Sequence, residues 1–288
     1  MLVGRPNVGK STLLNALVRS KVSIAARRPQ TTRHRILGIR SRPDGQIVFV
    51  DTPGLSGGRA RGLPGKLGRV TLASLEGVDL LLLVITASGW TAEDEHVLGV
   101  AAGVGVPIVL AINMVDRLTD PTRLLPLIDE SQGRAAFAAI VPVSAMTGHN
   151  LDALEQELLT LLPPGPRMFP EGQLTDRDER FRASELIREK IVTQLGDELP
   201  YVTAVTIESL EREAGSARIA AVIWVEKGTQ KGIVIGRGGQ RLKRIGQEAR
   251  ADLEAWLGTR VHLDLWVKVR ENWTGSEAAL QAFGYGEE

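Results

Sequence analysis

The short stretch Gly4-x-x-x-x-Gly9-Lys10-Ser11 constrains this chain more than any other part of its sequence. Two glycines at this spacing allow a tight turn in which successive backbone N–H groups converge on one concavity and bind phosphate oxygens. The lysine is then placed to reach the terminal phosphates of a nucleotide, and the serine hydroxyl to bind Mg²⁺. Such a loop follows a buried strand and opens a helix, so we predict a helix over 11–18. A glycine turn that ends in Lys-Ser by coincidence is the alternative interpretation.

The strand that should precede this loop is short. A buried strand typically has about five or six residues, but only Met1, Leu2 and Val3 precede Gly4. We therefore expect the natural start of the protein to lie upstream of Met1.

Downstream of the loop, apolar segments alternate with segments of helical pattern. We predict strands at 36–40, 46–50, 78–86, 107–112 and 140–143, and helices after Thr91 and over 151–162. This alternation is typical of a doubly wound parallel α/β sheet, which binds ligands at the carboxyl ends of its strands. Three motifs follow such ends: Asp51-Thr52-Pro53-Gly54, Asn113-Met114-Val115-Asp116 and Ser144-Ala145-Met146. We therefore predict a nucleotide site at this edge of the sheet.

The predicted metal ligands come from three parts of the sequence. Asp51 ends a buried strand opposite the phosphate loop, where a carboxylate can bind Mg²⁺ through water. Residues 20–35 are polar and basic, and they form either a solvated loop or a switch loop that supplies a threonine to the metal. We favour Thr32 for this role and keep Thr31 as the alternative. The predicted metal ligands are therefore Ser11, Thr32 and Asp51, and the predicted catalytic groups are Lys10, Thr32 and the N–H of Gly54.

Asp116 predicts which base the site accepts. Its carboxylate can accept hydrogen bonds from N1–H and the 2-amino group of guanine, whereas adenine would leave the charge unpaired. The backbone N–H of Ala145 can donate to the guanine O6. We therefore predict that GTP or GDP binds with Mg²⁺ to these residues: Gly4, Arg5, Pro6, Asn7, Val8, Gly9, Lys10, Ser11, Thr12, Asp51, Thr52, Pro53, Gly54, Asn113, Met114, Val115, Asp116, Ser144, Ala145 and Met146.

The nucleotide motifs end before the proline-rich stretch 163–170, and a second domain of different pattern follows it. We predict a helix over 180–195 and strands over 202–209, 218–226 and 261–269. A Gly236-x-x-Gly239 turn lies between two further helices, so the predicted order is helix–strand–strand–helix–helix–strand. This order with this turn predicts an α+β KH domain of type II, whose glycines allow close approach of a nucleic-acid backbone. A glycine turn beside a solvated charged helix is the weaker alternative.

A local concentration of positive charge surrounds that turn. The whole chain has a net charge of +1, but residues 227–250 contain seven basic residues and one acidic residue. We therefore predict RNA binding by Lys231, Gly236, Arg237, Gly238, Gly239, Arg241, Lys243 and Arg244. The predicted organisation is a nucleotide-binding domain over 1–162, a linker over 163–179, a KH domain over 180–270 and a C-terminal tail over 271–288, whose mixed composition suggests partial disorder.

Motifs in this order resemble those of the Era family of GTPases over almost the whole chain. The most specific segments are Gly-Arg-Pro-Asn-Val-Gly-Lys-Ser-Thr at 4–12, Pro-Gln-Thr-Thr-Arg-His at 29–34 and Asp-Thr-Pro-Gly-Leu at 51–55. The resemblance implies hydrolysis of GTP to GDP and phosphate, and binding near the 3′ end of small-subunit ribosomal RNA. It also implies a role in assembly of the small ribosomal subunit, peripheral association with the inner membrane and a monomeric state.

Three residues bear on how closely the site follows that pattern. Met114 stands where the family has a lysine that covers the base, so we expect weaker nucleotide binding with the choice of base kept by Asp116. Leu55 stands where related enzymes have a water-orienting glutamine, which implies slow intrinsic hydrolysis. Asn7 matches an asparagine that holds K⁺ in related GTPases, and a simple turn residue is the equal alternative.

Two other functions are alternatives to that of an RNA-binding GTPase. In the first, a degenerate nucleotide domain accompanies a KH domain that works as a non-catalytic RNA-binding adaptor. In the second, the chain is an ATPase coupled to RNA remodelling, which Asp116 opposes. The chain has no cysteine and no apolar run long enough to span a bilayer. With no signal peptide before Gly4, we predict a cytoplasmic protein.

Overall fold

The computed structural model describes residues 1–26, 28, 31–53, 71–196 and 199–285. These residues form two compact units. The first unit contains 1–25, 32–53 and 71–176, and the second contains 177–196 and 199–285 together with Ala26, Arg28 and Thr31. Each unit has its own apolar core.

The first unit is a parallel α/β domain. Its elements in chain order are β1 Leu2–Val3, α1 Lys10–Val18, β2 Ile36–Arg42, β3 Gly45–Asp51, β4 Leu81–Thr86, α2 Ala92–Ala102, β5 Ile108–Asn113, α3 Leu124–Gln132, β6 Ala139–Pro142 and α4 Leu151–Leu161. Four strands pair in parallel in the order β1-β4-β5-β6, and β2 and β3 form an antiparallel hairpin.

Two apolar layers cover the parallel sheet and explain why β4 and β5 are buried along their full length. Alternate residues of a strand point to opposite faces. Leu82 and Val84 of β4 therefore pack with apolar residues of α1 and α4. Leu81, Leu83 and Ile85 pack with residues of α2 and α3 on the other face. Burial on both faces is the reason that these strands are continuous apolar runs in the sequence.

Part of the predicted linker lies along the β2–β3 hairpin. The Ile39 N–H donates to the Leu174 carbonyl at 2.9 Å. The Gln46 side chain accepts from the N–H groups of Met168 and Phe169 at 2.9 and 3.0 Å. Residues up to 176 thus belong to the first compact unit, while the domain bounds given above stay predictions.

The second unit has the order of elements predicted for a KH domain. Its elements are α5 Glu179–Gln194, β7 Ala204–Glu213, β8 Ser216–Val225, α6 Gly228–Ile235, α7 Gln240–Leu257, β9 Arg260–Val269 and α8 Glu277–Ala282. β8 pairs antiparallel with β7 and parallel with β9, so the sheet is mixed. Apolar residues of α5 and α7 pack on this sheet, among them Ile187, Ile191, Ile245 and Leu253.

The prediction of partial disorder after Arg270 is wrong for the residues that the structure describes there. Trp273 is fully buried, and its indole N–H donates to the Val202 carbonyl at 3.1 Å. Its ring also packs against the rings of Phe283 and Tyr285. These aromatic contacts, rather than composition, determine that the segment is ordered and that Trp273 is buried.

None of the helices in the described ranges combines the length and the apolar character needed to cross a membrane.

Candidate functional site

The phosphate loop, residues 4–12, connects β1 to α1 and depends on close backbone approach at its two glycines. A Cβ at Gly4 would lie 2.5 Å from the Val84 carbonyl oxygen. Gly9 has φ +93°, and a Cβ there would lie 2.5 Å from Nδ2 of Asn113. A larger residue at either position would collide with the neighbouring strand end. Glycine is therefore required by geometry at both ends of the loop.

Lys10 lies inside this loop with its ammonium group turned back on the chain. Its Nζ donates to the carbonyl oxygens of Gly4 and Arg5 at 2.8 and 3.0 Å. Burial lowers the pKa of Lys10 to about 8, although the charges of Asp51 and Asp94 act in the opposite direction. An anion bound in the loop would favour the charged form, so the environment of Lys10 suits a phosphate ligand.

The three predicted metal ligands lie together at the start of α1. The Ser11 hydroxyl donates to Asp51 Oδ2 at 2.7 Å and lies 2.8 Å from the Thr32 hydroxyl. The Thr31 hydroxyl instead donates to the Arg28 carbonyl at 2.7 Å, and both of these residues belong to the second unit.

Asp51 provides a direct test of whether a cation fits the cluster. Its Oδ1 is buried and has no hydrogen-bond partner within the described part of the chain. Burial raises the pKa of Asp51, while the Ser11 hydroxyl, the Lys10 charge and the Ser23 hydroxyl oppose this rise. An unpaired carboxylate oxygen beside two hydroxyls is the oxygen-rich set that Mg²⁺ prefers. The residues present therefore fit Mg²⁺, and their roles as ligands stay predictions.

The loops after β5 and β6 are joined to the phosphate loop by one side chain. Asn113 Nδ2 donates to the Val8 carbonyl at 2.9 Å, and its Oδ1 accepts from the Ala145 N–H at 3.0 Å. Asp116 Oδ1 accepts from the Ser144 hydroxyl at 2.6 Å, which orients the carboxylate predicted to read guanine.

Met114 has a left-handed backbone, φ +66°, and begins the short 3₁₀ turn Val115–Arg117 that carries Asp116. Its terminal methyl lies 3.5 Å from the position of a Cβ at Gly9. The side chain thus reaches the phosphate loop. Met146, in contrast, is exposed.

The remaining predicted residues occupy the same edge of the sheet. Asn7 is exposed with φ +66°, and Val8 is buried in the core. Thr52 is buried, and the Pro53 carbonyl accepts from the Thr71 hydroxyl at 2.8 Å. Arg5, Pro6 and Thr12 belong to the phosphate loop. Gly54 and Leu55 lie outside the described residues.

Sequence reasoning missed two polar side chains that support this site. Ser23 donates to Asp51 Oδ2 at 3.0 Å. Asp94 is fully buried and pairs with Arg5 Nε at 3.1 Å. The sequence predicted a helix after Thr91, and Asp94 is part of the capping box at its start, but nothing in the sequence indicated its partner in the phosphate loop. Ser23 has no motif around it at all.

In the second unit, the glycine turn lies between the end of α6 and the start of α7. Gly236, Gly238 and Gly239 all have positive φ, at +75°, +58° and +75°. A Cβ at Gly236 would lie 2.7 Å from the Cβ of Arg241, whereas Gly238 faces open space. The turn therefore presents bare backbone to the surroundings at Gly238.

Predicted RNA-binding side chains surround the turn. Arg237, Arg241, Lys243 and Arg244 are exposed, and Lys231 is half-buried. Arg241 donates to the Ile233 carbonyl at 2.7 Å, and Arg244 pairs with Glu248 at 3.0 Å. Local contacts thus hold two of the arginines at the surface.

Comparison with known proteins identifies both units. The family model described as 50S ribosome-binding GTPase matches residues 1–114, and the KH domain model matches residues 198–274. GTPase Era of Xanthomonas axonopodis pv. citri is 53% identical over 285 residues, which cover 99% of this chain and 95% of the relative. GTPase Era of Stenotrophomonas maltophilia is 51% identical with the same two coverages.

Solved structures extend this similarity to the whole fold. A crystal structure of Era in complex with MgGDPNP and nucleotides 1506–1542 of 16S ribosomal RNA has a TM-score of 0.94 at 39% identity, covering 99% of this chain and 97% of that one. A point variant of Aquifex aeolicus Era bound to GDP·AlF4⁻ has the same TM-score and identity, and the match covers 98% of that chain.

Fold and site together define a GTPase in which a P-loop domain is followed by a KH domain. The chain belongs to the Era family of GTPases. It binds GTP and hydrolyses it to GDP and phosphate. The predicted fold class and enzymatic activity are confirmed, and neither the adaptor nor the ATPase interpretation is supported.

Proposed function

We propose that this GTPase uses its nucleotide state to control binding of its KH domain to the 3′ region of small-subunit ribosomal RNA, and so assists assembly of the small ribosomal subunit. The observation that carries the proposal is the open backbone at Gly238, between two helices and beside exposed arginine and lysine side chains. Such a turn suits single-stranded RNA, because the backbone of the nucleic acid can approach it closely.

The choice of RNA is supported by one of the related structures. The family model names the 50S subunit, but the RNA in the matched Era crystal structure is 16S ribosomal RNA, which belongs to the small subunit. That structure covers 99% of this chain, including the KH domain. We therefore favour the small subunit as the partner of this protein.

In the nucleotide site we propose the following roles. Lys10 and the loop N–H groups hold the terminal phosphates of GTP or GDP. Ser11, Thr32 and Asp51 hold Mg²⁺, which neutralises phosphate charge when it is bound. Asp116 selects guanine, because its carboxylate complements N1–H and the 2-amino group of that base. The Ala145 N–H donates to Asn113 Oδ1 in this structure, so its predicted hydrogen bond to the guanine O6 requires that this contact be shared or exchanged when the base binds.

Three further proposals come from the resemblance to the family. Asn7, exposed at the phosphate loop, would hold a K⁺ ion that supplies the positive charge of an arginine finger. Peripheral association with the inner membrane and a monomeric state are the other two. All three stay predictions.

The RNA-binding proposal can be tested with two matched glycine variants. Gly238 and Gly215 both have positive φ, at +58° and +81°, and a Cβ at either meets nothing within 4 Å. Aspartate tolerates this backbone conformation better than most residues. Both variants should therefore fold, and Gly238→Asp should differ from Gly215→Asp only in placing a negative charge at the predicted RNA contact.

The measurement is fluorescence anisotropy of a labelled RNA with the sequence of the 3′ end of 16S ribosomal RNA. We expect Gly238→Asp to weaken binding by about tenfold or more, because it repels the phosphate backbone. Gly215→Asp should bind like the unmodified protein. Equal binding by the two variants would refute the assignment of the RNA site. Equal RNA affinity in the presence of GDP and of a non-hydrolysable GTP analogue would refute control by nucleotide state.

A further inference from the structure

Asp51 accepts hydrogen bonds from two serine hydroxyls, and only one of them belongs to the phosphate loop. Ser11 donates to Oδ2 at 2.7 Å, and Ser23 donates to the same oxygen at 3.0 Å. Ser23 is almost completely buried, at 1% exposure. A buried hydroxyl aimed at a buried carboxylate is a specific arrangement, because each group would lose free energy without its partner.

Asn15 on α1 determines where Ser23 lies. Its Oδ1 accepts from the N–H groups of Val22 and Ser23, both at 2.9 Å. Its Nδ2 donates to the Ser23 carbonyl at 2.7 Å. Three hydrogen bonds from one side chain therefore fix the backbone on both sides of Ser23 against the helix that begins at the phosphate loop.

The consequence for Asp51 follows from the shape of a carboxylate. The group is planar and turns about a single bond, so two donors on Oδ2 also determine the position of Oδ1. Oδ1 is the buried atom without a partner in the described chain, and it is the atom left for a metal-bound water. Groups that orient a metal ligand in this way raise metal affinity without touching the metal.

We propose that Ser23 is a positioning residue for the Mg²⁺-binding carboxylate of Asp51, and that Asn15 holds Ser23 in place for this purpose. The inference rests on the proposed role of Asp51 at Mg²⁺ and adds two residues to it. It also identifies residues 22–23 as a fixed point at the start of the loop that carries Thr32.

The test is the release of a fluorescent GDP from the protein as the free Mg²⁺ concentration is varied. Ser23→Ala removes the hydroxyl and leaves the rest of the side chain. We expect this variant to need about tenfold more Mg²⁺ to slow release by half, because a lost outer-shell hydrogen bond weakens metal binding by that order. With EDTA present its release rate should equal that of the unmodified protein. Ser23→Thr keeps the hydroxyl and should restore the Mg²⁺ dependence.

Two control variants distinguish a failure of the positioning role of Ser23 from a failure of the metal role of Asp51. Ser20→Ala makes the same chemical change three residues earlier and should leave the Mg²⁺ dependence unchanged. Asp51→Asn tests the proposed metal role itself, and an unchanged Mg²⁺ dependence in that variant would refute that role. If Asp51→Asn changes the dependence but Ser23→Ala does not, the positioning role of Ser23 is refuted. Faster release by Ser23→Ala in EDTA as well as in Mg²⁺ would also refute it, because general loosening of the site would then be the cause.

Discussion

Nucleotide binding by this protein should depend on pH through Lys10. The ammonium group is buried in the phosphate loop, and burial lowers its pKa to about 8 in the absence of a ligand. The neutral form is therefore substantially populated in mildly basic solution. A bound phosphate favours the charged form, so the loaded protein keeps Lys10 protonated at a pH where the free protein has partly lost that proton.

The direction and size of the change in GDP affinity with pH follow from this difference in Lys10 protonation between the free and the loaded protein. Above pH 8 the free protein must take up a proton when nucleotide binds, so affinity falls as pH rises through the pKa of Lys10. For a pKa of about 8, the protonated fraction falls about fourfold between pH 7 and pH 8.5, and the affinity for GDP should fall by about the same factor. At pH 8 about half a proton should be taken up for each GDP bound.

Isothermal titration calorimetry measures this uptake directly, because the observed heat depends on the ionisation enthalpy of the buffer in proportion to the protons exchanged. Titrations with GDP at pH 8 in two buffers of different ionisation enthalpy give the number of protons taken up for each GDP bound. Lys243→Met removes an exposed lysine of the second unit and should show the same uptake as the unmodified protein. Identical heats in both buffers at pH 8, with an affinity that does not change up to pH 8.5, would refute the reasoning.

Two further outcomes are expected from buried side chains outside the motifs. Trp273→Ala should lower the free energy of unfolding of the second unit by about 3–5 kcal/mol, the usual loss for a buried aromatic residue, whereas Trp266→Ala, at a side chain 47% exposed, should change it far less. Urea denaturation followed by circular dichroism measures the free energy of unfolding of both variants, and equal losses of that free energy would contradict the burial of Trp273. Asp94→Asn should weaken GDP binding severalfold by releasing Arg5 in the phosphate loop. Because this loss of GDP affinity acts through Arg5, Asp94→Asn should cause no further loss in a protein that already carries Arg5→Met. If Asp94→Asn still weakens GDP binding in that protein, the loss is due to helix capping alone.

Much of the first unit could be predicted because its chemistry is local in sequence. The phosphate loop needs glycines at fixed spacing, and the fully buried strands β4 and β5 are continuous apolar runs. The second unit was predictable for a similar reason, since the Gly236–Gly239 turn lies within a regular order of helices and strands. In each of these features the residues that define the pattern are close together in the sequence.

The side chains that support the nucleotide site make contacts between residues distant in sequence, and these contacts have no local sequence pattern. Arg5 and Asp94 are 89 positions apart, and Ser23 and Asp51 are 28 apart. A lone serine in a polar loop and an acidic residue in a capping box both have ordinary local explanations. The C-terminal segment was misjudged for a related reason: its composition is mixed, but Trp273 is buried and donates to the carbonyl of Val202, 71 positions away.

These contacts divide the nucleotide site of the first unit into two mechanically different parts. Asn113 connects the phosphate loop to the loop carrying Ala145, so the groups proposed to bind phosphate and base are held by the ends of parallel strands. Thr32, in contrast, belongs to a loop whose backbone is fixed to α1 at Ser23, nine positions earlier. In the roles proposed above, such a site holds the base and the inner phosphates at the strand ends, while the segment carrying Thr32 follows the terminal phosphate and Mg²⁺. That separation is what a GTPase needs if hydrolysis is to change its shape without releasing the nucleotide.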